Sequence, residues 1–206
     1  MIDPALGAIV SYAAAAAAEP LAGPGGAQPA RGGLAIRLLG VPDLAAYKSL
    51  RDLMLRAHPA AFTSDAETEL QRPPQSYLSR VAGTAEEAWP FTLAAWHGEW
   101  LCGAITCERD ERVKVRHIGH VVGMMVHPDA RGRGIGGALL AACIALARQR
   151  HGIEKLTLSV TSSNDEAIRL YRRAGFERYG QLARAIRLGA SYHHKDLMVL
   201  NFEAKT

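Results

Sequence analysis

The sequence predicts an α/β domain with a mixed sheet, preceded by an N-terminal segment of different composition. From about residue 34 to residue 203, short apolar runs of strand length alternate with longer segments whose apolar residues recur at helical spacing. The chain has 206 residues, of which 49% are hydrophobic, and this is enough for one domain to bury a sizeable core. We therefore expect a single domain over residues 34–206.

The predicted elements follow one another along that domain. Strands are predicted for residues 34–39, 91–96, 100–106, 117–126, 155–160, 176–184 and 192–200, and helices for residues 41–57, 64–81, 134–150 and 165–174. The first helix begins at the start signal Pro42-Asp43, and Pro73-Pro74 interrupts the second helix. His97-Gly98-Glu99 marks the turn of a hairpin between the second and third strands.

Residues 1–33 have a low-complexity composition. The segment holds an unbroken alanine run at residues 13–18, which is followed by closely spaced prolines and glycines, and it has few large apolar side chains. Such a segment cannot bury enough surface to offset its ordering entropy, so we expect a disordered tail. A cleaved export signal is the alternative, but no basic residue precedes Arg31 and the segment carries Asp3. A mis-assigned start codon would look the same.

Charge and cysteine content exclude several classes of protein. The net charge of +4 is too small to indicate a dedicated nucleic-acid binder. The surplus is concentrated between Asp129 and Arg178, which indicates a small anionic ligand. The three cysteines show no CxxC spacing, so neither a disulfide framework nor a zinc site is expected, and a cytoplasmic setting follows. No apolar run is long enough for a membrane span.

A glycine-rich turn between the fourth strand and the third helix carries the first chemical signal. Its sequence is Arg131-Gly132-Arg133-Gly134-Ile135-Gly136-Gly137. Glycines let successive backbone N–H groups point at one ligand, and the positive end of the following helix adds to the attraction for phosphate. A helix start without a ligand is the alternative, and the two flanking arginines weigh against it.

The kind of phosphate ligand is less certain from this turn alone. Gly132, Gly134 and Gly137 satisfy G-x-G-x-x-G, the pattern of dinucleotide-binding sites. However, the turn follows at least three strands instead of the first one, and the acidic residue at the expected distance, Glu154, precedes its strand instead of following it. A P-loop is excluded because no Gly-Lys-Ser/Thr follows the glycines.

The next helix has a second well-defined pattern. Asn164 is a predicted N-cap, and Gly175 takes the position after the helix. Because residues three and four apart share a helix face, Asn164, Ala167 and Tyr171 are expected on one side. A polar cap and a phenol thus face the same way, separated by a small residue.

These two motifs together resemble the GCN5-related N-acetyltransferase (GNAT) family. They are Arg131-Gly132-Arg133-Gly134-Ile135-Gly136 and Asn164-x-x-Ala167-x-x-Leu170-Tyr171-x-x-x-Gly175-Phe176. The resemblance covers roughly residues 34–202. It implies a single domain with a mixed, mostly antiparallel central sheet flanked by helices, and acetyl-CoA as the acetyl donor without a metal.

The resemblance also implies where the cofactor binds. The glycine turn would hold the pyrophosphate, while a bulged strand would splay from its neighbour and pair with the pantetheine arm. The residues implied in cofactor binding are Met124, Met125, Val126, Arg131, Gly132, Arg133, Gly134, Ile135, Gly136, Gly137 and Asn164. Tyr171 is the implied catalytic acid, which protonates the departing thiolate.

Acetyl transfer also needs a group that accepts the proton of the amine. The strand 117–125 holds no carboxylate, although many members of the family have a glutamate there. His120 is our candidate for the catalytic base, because histidine titrates near neutral pH. His117, Glu108 and Asp110 are further candidates.

The acceptor is expected to be a primary amine on a small molecule, a protein N-terminus or a lysine. Asp65, Glu67 and Glu69 could attract a cationic amine, but a solvated helix face is favoured. Tyr192 and His194 could line the acceptor pocket. Neighbouring histidines on a strand point to opposite faces, so His193, His194 and Asp196 are not expected to bind a metal.

Two other functions remain open, and each makes its own binding prediction. A catalytically silent acyl-CoA-binding module would bind the cofactor without releasing thiol. A dinucleotide-dependent oxidoreductase would bind NAD(H). As partners we expect an amine acceptor and neither nucleic acid nor membrane, and assembly as a homodimer is an open expectation.

Overall fold

The computed structural model describes residues 33–81 and 88–202. Apart from Gly33, the tail predicted for residues 1–33 lies outside the described residues. The expected α/β architecture is confirmed by what is described. None of the helices in this part of the chain is long and apolar enough to cross a membrane.

Seven strands of the described residues form one sheet in the order β1-β2-β3-β4-β5-β7-β6. Their bounds are β1 Leu34–Leu38, β2 Phe91–His97, β3 Trp100–Arg109, β4 Ile118–Val126, β5 Lys155–Thr161, β6 Glu177–Leu188 and β7 Ser191–Asn201. The β4–β5 pair is parallel, while the neighbouring pairs in this order are antiparallel. The sheet is therefore mixed and mostly antiparallel, as predicted.

The described ranges hold four α-helices. They are α1 Leu44–Ala57, α2 Ala66–Leu70, α3 Ile135–Gln149 and α4 Asp165–Arg173. Of these, α1, α3 and α4 pack on the two faces of the sheet, and α2 contacts α1. The helix predicted over residues 64–81 is wrong in its extent. Only Ala66–Leu70 is α-helical, and Pro74–Arg80 forms a 3₁₀ segment after the proline pair. Proline removes a backbone donor and disfavours helical geometry in the residue before it, so the helix cannot continue.

Each face of the sheet carries its own hydrophobic core. The larger core joins β2–β5 to α3 and α4, with Leu139, Leu156 and Phe176 almost completely buried. The second core joins the opposite face to α1 and the 74–80 segment through Leu39, Tyr47 and Tyr77. Burial of these side chains holds the sheet between two layers of helices, which fixes the turn before α3 and the loop after α1 near the same strands.

Candidate functional site

The two strands β4 and β5 diverge after a short parallel ladder. They pair at Ile118–Lys155, Gly119–Leu156 and His120–Thr157, and the ladder ends there. Beyond this point lies a cleft of about 770 Å³. Its wall includes residues 121–126 of β4, 159–161 of β5, the end of α1 with the loop 58–62, the glycine turn, and side chains along α4 as far as Arg173. A splayed pair of strands exposes backbone N–H and C=O groups that a ligand can use.

A bulge in β4 shapes one side of this cleft. Ala104 of β3 stands opposite Met125 and Thr106 stands opposite Val122, so Gly123 and Met124 together face the single residue Ile105. Gly123 has φ +59°, a left-handed conformation that favours glycine. The extra residue changes which face the following side chains occupy. Met125 is consequently buried in the α1 core, while Met124 packs against the core beneath α3 and α4.

The glycine turn forms the adjoining end of the cleft. Gly132 and Gly134 have φ +74° and +76°, and a Cβ placed on either would meet nothing within 4 Å. Gly134 is the N-cap of α3, so the unpaired N–H groups of its first turn face the cleft. Open space over two left-handed glycines at a helix N-terminus is the cradle that a phosphate requires.

Most of the residues predicted for cofactor binding lie together on the cleft wall. They are Met124, Met125, Val126, Arg131, Gly132, Gly134, Ile135, Gly136, Gly137 and Asn164. Arg133 is exposed and lies outside the described cleft wall. Asn164 caps α4, because its side-chain oxygen accepts a hydrogen bond of 3.1 Å from the backbone N–H of Ala167. The cap leaves the amide nitrogen of Asn164 available to a ligand in the cleft.

Tyr171 projects from α4 into the same cleft. Its side chain is 8% exposed, and its hydroxyl donates to the sulfur of Met124 at 3.4 Å. The ring packs edge-to-face on Phe176, with centroids 5.9 Å apart. Burial raises the pKa of Tyr171 to about 12, with a smaller contribution from Cys143. The phenol is therefore protonated at neutral pH and can act as a proton donor.

The structure does not bring His120 onto the described cleft wall. Val121 is the first residue of β4 on that wall. His120 lies at the last β4–β5 pair, and its Nδ1 is 2.7 Å from Oγ1 of Thr157. His120 therefore does not share the described cleft wall with Tyr171, and a base role for it stays a prediction.

The carboxylates that were the further base candidates are already paired. Glu108 forms an ion pair with Arg80. Asp110 is bound by Arg112, whose hydrogen bonds lower the pKa of Asp110 to about 2. His117 and both carboxylates lie outside the described cleft wall.

The acidic residues of α2 have different environments, and the expected solvated face is wrong for Glu69. Glu67 is exposed, and Asp65 is the N-cap that accepts from the N–H of Thr68. Glu69 is buried and contacts Arg51, Arg72 and the hydroxyl of Tyr77. Burial opposes its charge, but the hydrogen bond from Tyr77 and the two guanidinium groups outweigh burial and keep the pKa of Glu69 low. Glu69 is a structural residue of the α1 core and is not free to bind an amine.

The residues suggested for the acceptor pocket in β7 are engaged elsewhere. The ring of Tyr192 lies 3.8 Å from the guanidinium of Arg184, and Nδ1 of His194 accepts from the backbone N–H of Arg184. Asp196 is buried and accepts from Ser162, Gln181 and Arg178. Within the described residues, no group of three or more histidine, cysteine, aspartate or glutamate side chains could hold a metal ion.

Sequence reasoning did not single out residues 58–60 of the loop after α1. His58 and residues 59–62 line the cleft opposite the glycine turn. The carbonyl of Ala60 accepts a 2.5 Å hydrogen bond from Oγ1 of Thr161, which attaches this loop to β5. No local pattern in the sequence indicates a contact over 101 positions.

The chain is similar in sequence to known proteins. The acetyltransferase (GNAT) family model matches residues 47–176. A mycothiol acetyltransferase from Salinispora arenicola is 44% identical over 93 residues, which are 45% of this chain and 30% of that protein. N-alpha-acetyltransferase 30 of Schizosaccharomyces pombe is 27% identical over 119 residues, 57% of this chain and 77% of that protein. The matched region thus spans about a third of the mycothiol acetyltransferases.

Solved structures show the same fold. A GCN5-related N-acetyltransferase from Kribbella flavida superposes with a TM-score of 0.70 at 20% identity, covering 82% of this chain and 98% of that one. The yncA protein of Salmonella typhimurium, whose structure holds its cofactor acetyl-CoA, gives a TM-score of 0.66 at 20% identity, covering 82% and 94%. Because the family model covers more than half of the sequence, this chain belongs to the acetyltransferase (GNAT) family.

Proposed function

We propose that this chain is an acetyl-CoA-dependent N-acetyltransferase that transfers the acetyl group directly to a primary amine. The observation that carries the proposal is one continuous cleft, which runs from the glycine turn past the bulge of β4 to the hydroxyl of Tyr171. Its charged end suits phosphates, its exposed strand edge suits an amide-containing arm, and its phenol suits a leaving thiolate.

Different groups of the chain would bind different parts of acetyl-CoA. Backbone N–H groups of residues 132–137, together with Arg131, would bind the pyrophosphate, and Arg133, outside the described cleft wall, would add positive charge at the mouth of the site. The exposed backbone of Met124–Val126 would pair with the pantetheine arm, and Asn164 would contact the cofactor from α4. When bound, acetyl-CoA supplies a thioester as the activated acetyl group.

Two groups at the bulge would assist the transfer. A backbone N–H of the β4 bulge would donate to the oxygen that becomes negatively charged when the amine attacks the carbonyl carbon. Tyr171 would then donate its proton to the sulfur as the carbon–sulfur bond breaks. The amine gains the acetyl group and loses one proton to a base, the sulfur leaves as a thiol with the proton of Tyr171, and the resulting phenolate regains a proton from water.

The proton of the amine needs a separate acceptor. We keep His120 for this role only as an indirect base that acts through water, because its ring lies outside the described cleft wall and contacts Thr157. A general base can act through one water as well as by direct contact with the proton it accepts.

The acceptor remains open between a small molecule and a protein amine. The relatives described above include a mycothiol acetyltransferase and an N-alpha-acetyltransferase, so both acceptor classes are candidates. A reducing, cytoplasmic setting is supported by Cys102, Cys107 and Cys143, which are buried and free. Assembly as a homodimer stays a prediction, which light scattering of the purified chain would test.

The direct test is release of free thiol from acetyl-CoA in the presence of an amine. The full chain is assayed with acetyl-CoA and three acceptor classes: small primary amines, peptides with a free N-terminus and peptides with an internal lysine. We expect amine-dependent thiol release with at least one class. Tight CoA binding without thiol release in any class would favour the silent binding module instead.

A further inference from the structure

His58 and Arg131 form a contact across the cleft that the proposed mechanism does not use. Nη2 of Arg131 donates to Nε2 of His58. Both residues line the cleft, although they lie 73 positions apart in the chain. The end of α1 is thereby joined to the glycine turn before α3.

The backbone of His58 is held from both sides. Its N–H donates to the carbonyl of Met54 in α1 at 2.9 Å, and its own carbonyl accepts from the N–H of Ala61 at 2.9 Å. The neighbouring carbonyl of Ala60 accepts from Oγ1 of Thr161 in β5. Hydrogen bonds to α1 and β5 therefore hold the backbone that carries the imidazole.

The imidazole acts as an acceptor toward Arg131, which requires an unprotonated Nε2. Burial lowers the pKa of His58, and the positive charge of Arg131 lowers it further. Glu166 and Arg173, both on α4, are the other charged side chains on the described cleft wall. The neutral ring is thus a stationary acceptor for the guanidinium near neutral pH.

Arg131 itself is an exposed, flexible side chain at the phosphate end of the cleft. A guanidinium has five N–H donors, so a contact through Nη2 to His58 leaves others for phosphate oxygens. Fixing a flexible side chain before the ligand arrives reduces the entropy lost on binding. We propose that His58 is a positioning residue, which holds the guanidinium of Arg131 where it binds the pyrophosphate of acetyl-CoA. This inference rests on the proposed function, because it requires an acyl-CoA in the cleft.

Two substitutions at His58 separate an acceptor role from simple packing. In His58→Gln, the amide oxygen can replace Nε2 as the hydrogen-bond acceptor for Arg131. In His58→Leu, the side chain cannot accept a hydrogen bond. Calorimetric titration of the full chain with CoA should give a Kd about 3- to 10-fold higher for the leucine variant and within about twofold for the glutamine variant. His97→Leu, at the end of β2 and off the described cleft wall, is the matched control.

Kinetics and a truncated acetyl donor test whether His58 affects binding of the pyrophosphate. His58→Leu should raise KM for acetyl-CoA while kcat at saturating acetyl-CoA stays within about twofold. S-acetylpantetheine, which lacks the pyrophosphate, should serve as donor for wild type and variant equally. The double variant His58→Leu/Arg131→Leu should bind CoA no more weakly than Arg131→Leu alone, because His58 acts through Arg131.

Three results would contradict the positioning role of His58, and a fourth would contradict the proposed function. An unchanged Kd in His58→Leu, equal weakening by leucine and glutamine, or additive losses in the double variant would each overturn the role of His58. Binding of CoA to the wild-type chain is measured before any His58 variant. If the wild-type chain binds no CoA, the proposed function itself fails.

Discussion

The hydroxyl of Tyr171 lies 3.4 Å from the sulfur of Met124, the second residue of the β4 bulge. The contact joins α4 to the strand that the acetyl donor would follow. A thioether is a weak hydrogen-bond acceptor, so the hydroxyl can turn toward a stronger acceptor at little cost. A thiolate arriving at the bulge would be such an acceptor, and this geometry is the basis for the acid role of Tyr171.

Tyr171→Phe removes the proposed proton donor and keeps the ring that packs on Phe176. We expect kcat to fall by about 100-fold, as general acid catalysis commonly contributes at least that much, while Kd for CoA stays within about twofold. Steady-state kinetics and calorimetry measure the two quantities. Tyr192→Phe, at a half-exposed tyrosine off the cleft wall, is the control. Unchanged kcat in Tyr171→Phe would remove Tyr171 from the acid role.

The pH dependence of kcat gives a second test of the same residue. Because burial raises the pKa of Tyr171 to about 12, the phenol keeps its proton below that pH and loses it only as the pH rises through about 12. We therefore expect no loss of kcat attributable to Tyr171 between about pH 7 and pH 10, the ordinary tyrosine pKa. A decline within that range that disappears in Tyr171→Phe would contradict this environment.

Two substitutions at Gly134 distinguish the effect of backbone conformation on stability from the effect of a side chain on CoA binding. A Cβ at Gly134 meets nothing within 4 Å, so Gly134→Ala costs stability only through its φ of +76°, by about 1 kcal/mol. Gly134→Glu adds bulk and negative charge at the proposed phosphate site, so CoA binding should be abolished. Thermal unfolding with and without CoA measures both effects. CoA binding retained by Gly134→Glu would place the phosphates elsewhere.

His120→Asn tests the indirect base. If the imidazole accepts the proton of the amine through water, kcat/KM for the amine should fall by about tenfold or more, with no change in Kd for CoA. Thr157→Val is the matched control, because it removes the hydrogen-bond partner of Nδ1 and leaves the imidazole. Equal kcat/KM in His120→Asn and wild type would exclude this role.

Glu69→Gln tests the polar cluster beneath α1. The substitution weakens the contacts with Arg51 and Arg72, and we expect the free energy of unfolding to fall by about 1–3 kcal/mol at pH 7. Since the pKa of Glu69 is lowered from 4.5, its charge stabilises the fold above that pH, and this contribution is lost as the pH falls through the lower folded-state pKa. Chemical denaturation at pH 7 and pH 3 measures it. Glu67→Gln, at an exposed position of the same helix, should change stability by less than about 0.5 kcal/mol. A similar loss in both variants would contradict the assigned network.

Local patterns predicted the parts of the site that lie close together in the chain. The glycine turn and the Asn164–Tyr171 face were recognisable because their spacing alone determines which groups point the same way. The mixed, mostly antiparallel sheet and the parting of the bulged strand from its neighbour were implied by the family resemblance, while the strand order came only from the structure. Periodicity alone could not have given these features, because apolar spacing along one strand does not show which strand it pairs with or where the pairing ends.

Contacts between distant residues account for what the sequence could not predict. Glu69 has the surroundings of a surface residue in its own helix, but α1 brings Arg51 against it from 18 positions away. The contact of His58 with Arg131 joins residues that β2, β3 and β4 separate in the sequence. Likewise, β6 extends to Leu188, beyond the predicted end at residue 184, and its mostly exposed residues show no clear alternation.

Thermal unfolding of the chain with acetyl-CoA, CoA and NAD in parallel tests the central claim most directly. A ligand at 100 times its Kd stabilises the folded state by about 2.7 kcal/mol, which is readily measured. We predict stabilisation by acetyl-CoA and by CoA but none by NAD. Stabilisation by NAD, or no effect of either CoA species, would contradict the assignment of the cleft to an acetyl-CoA cofactor.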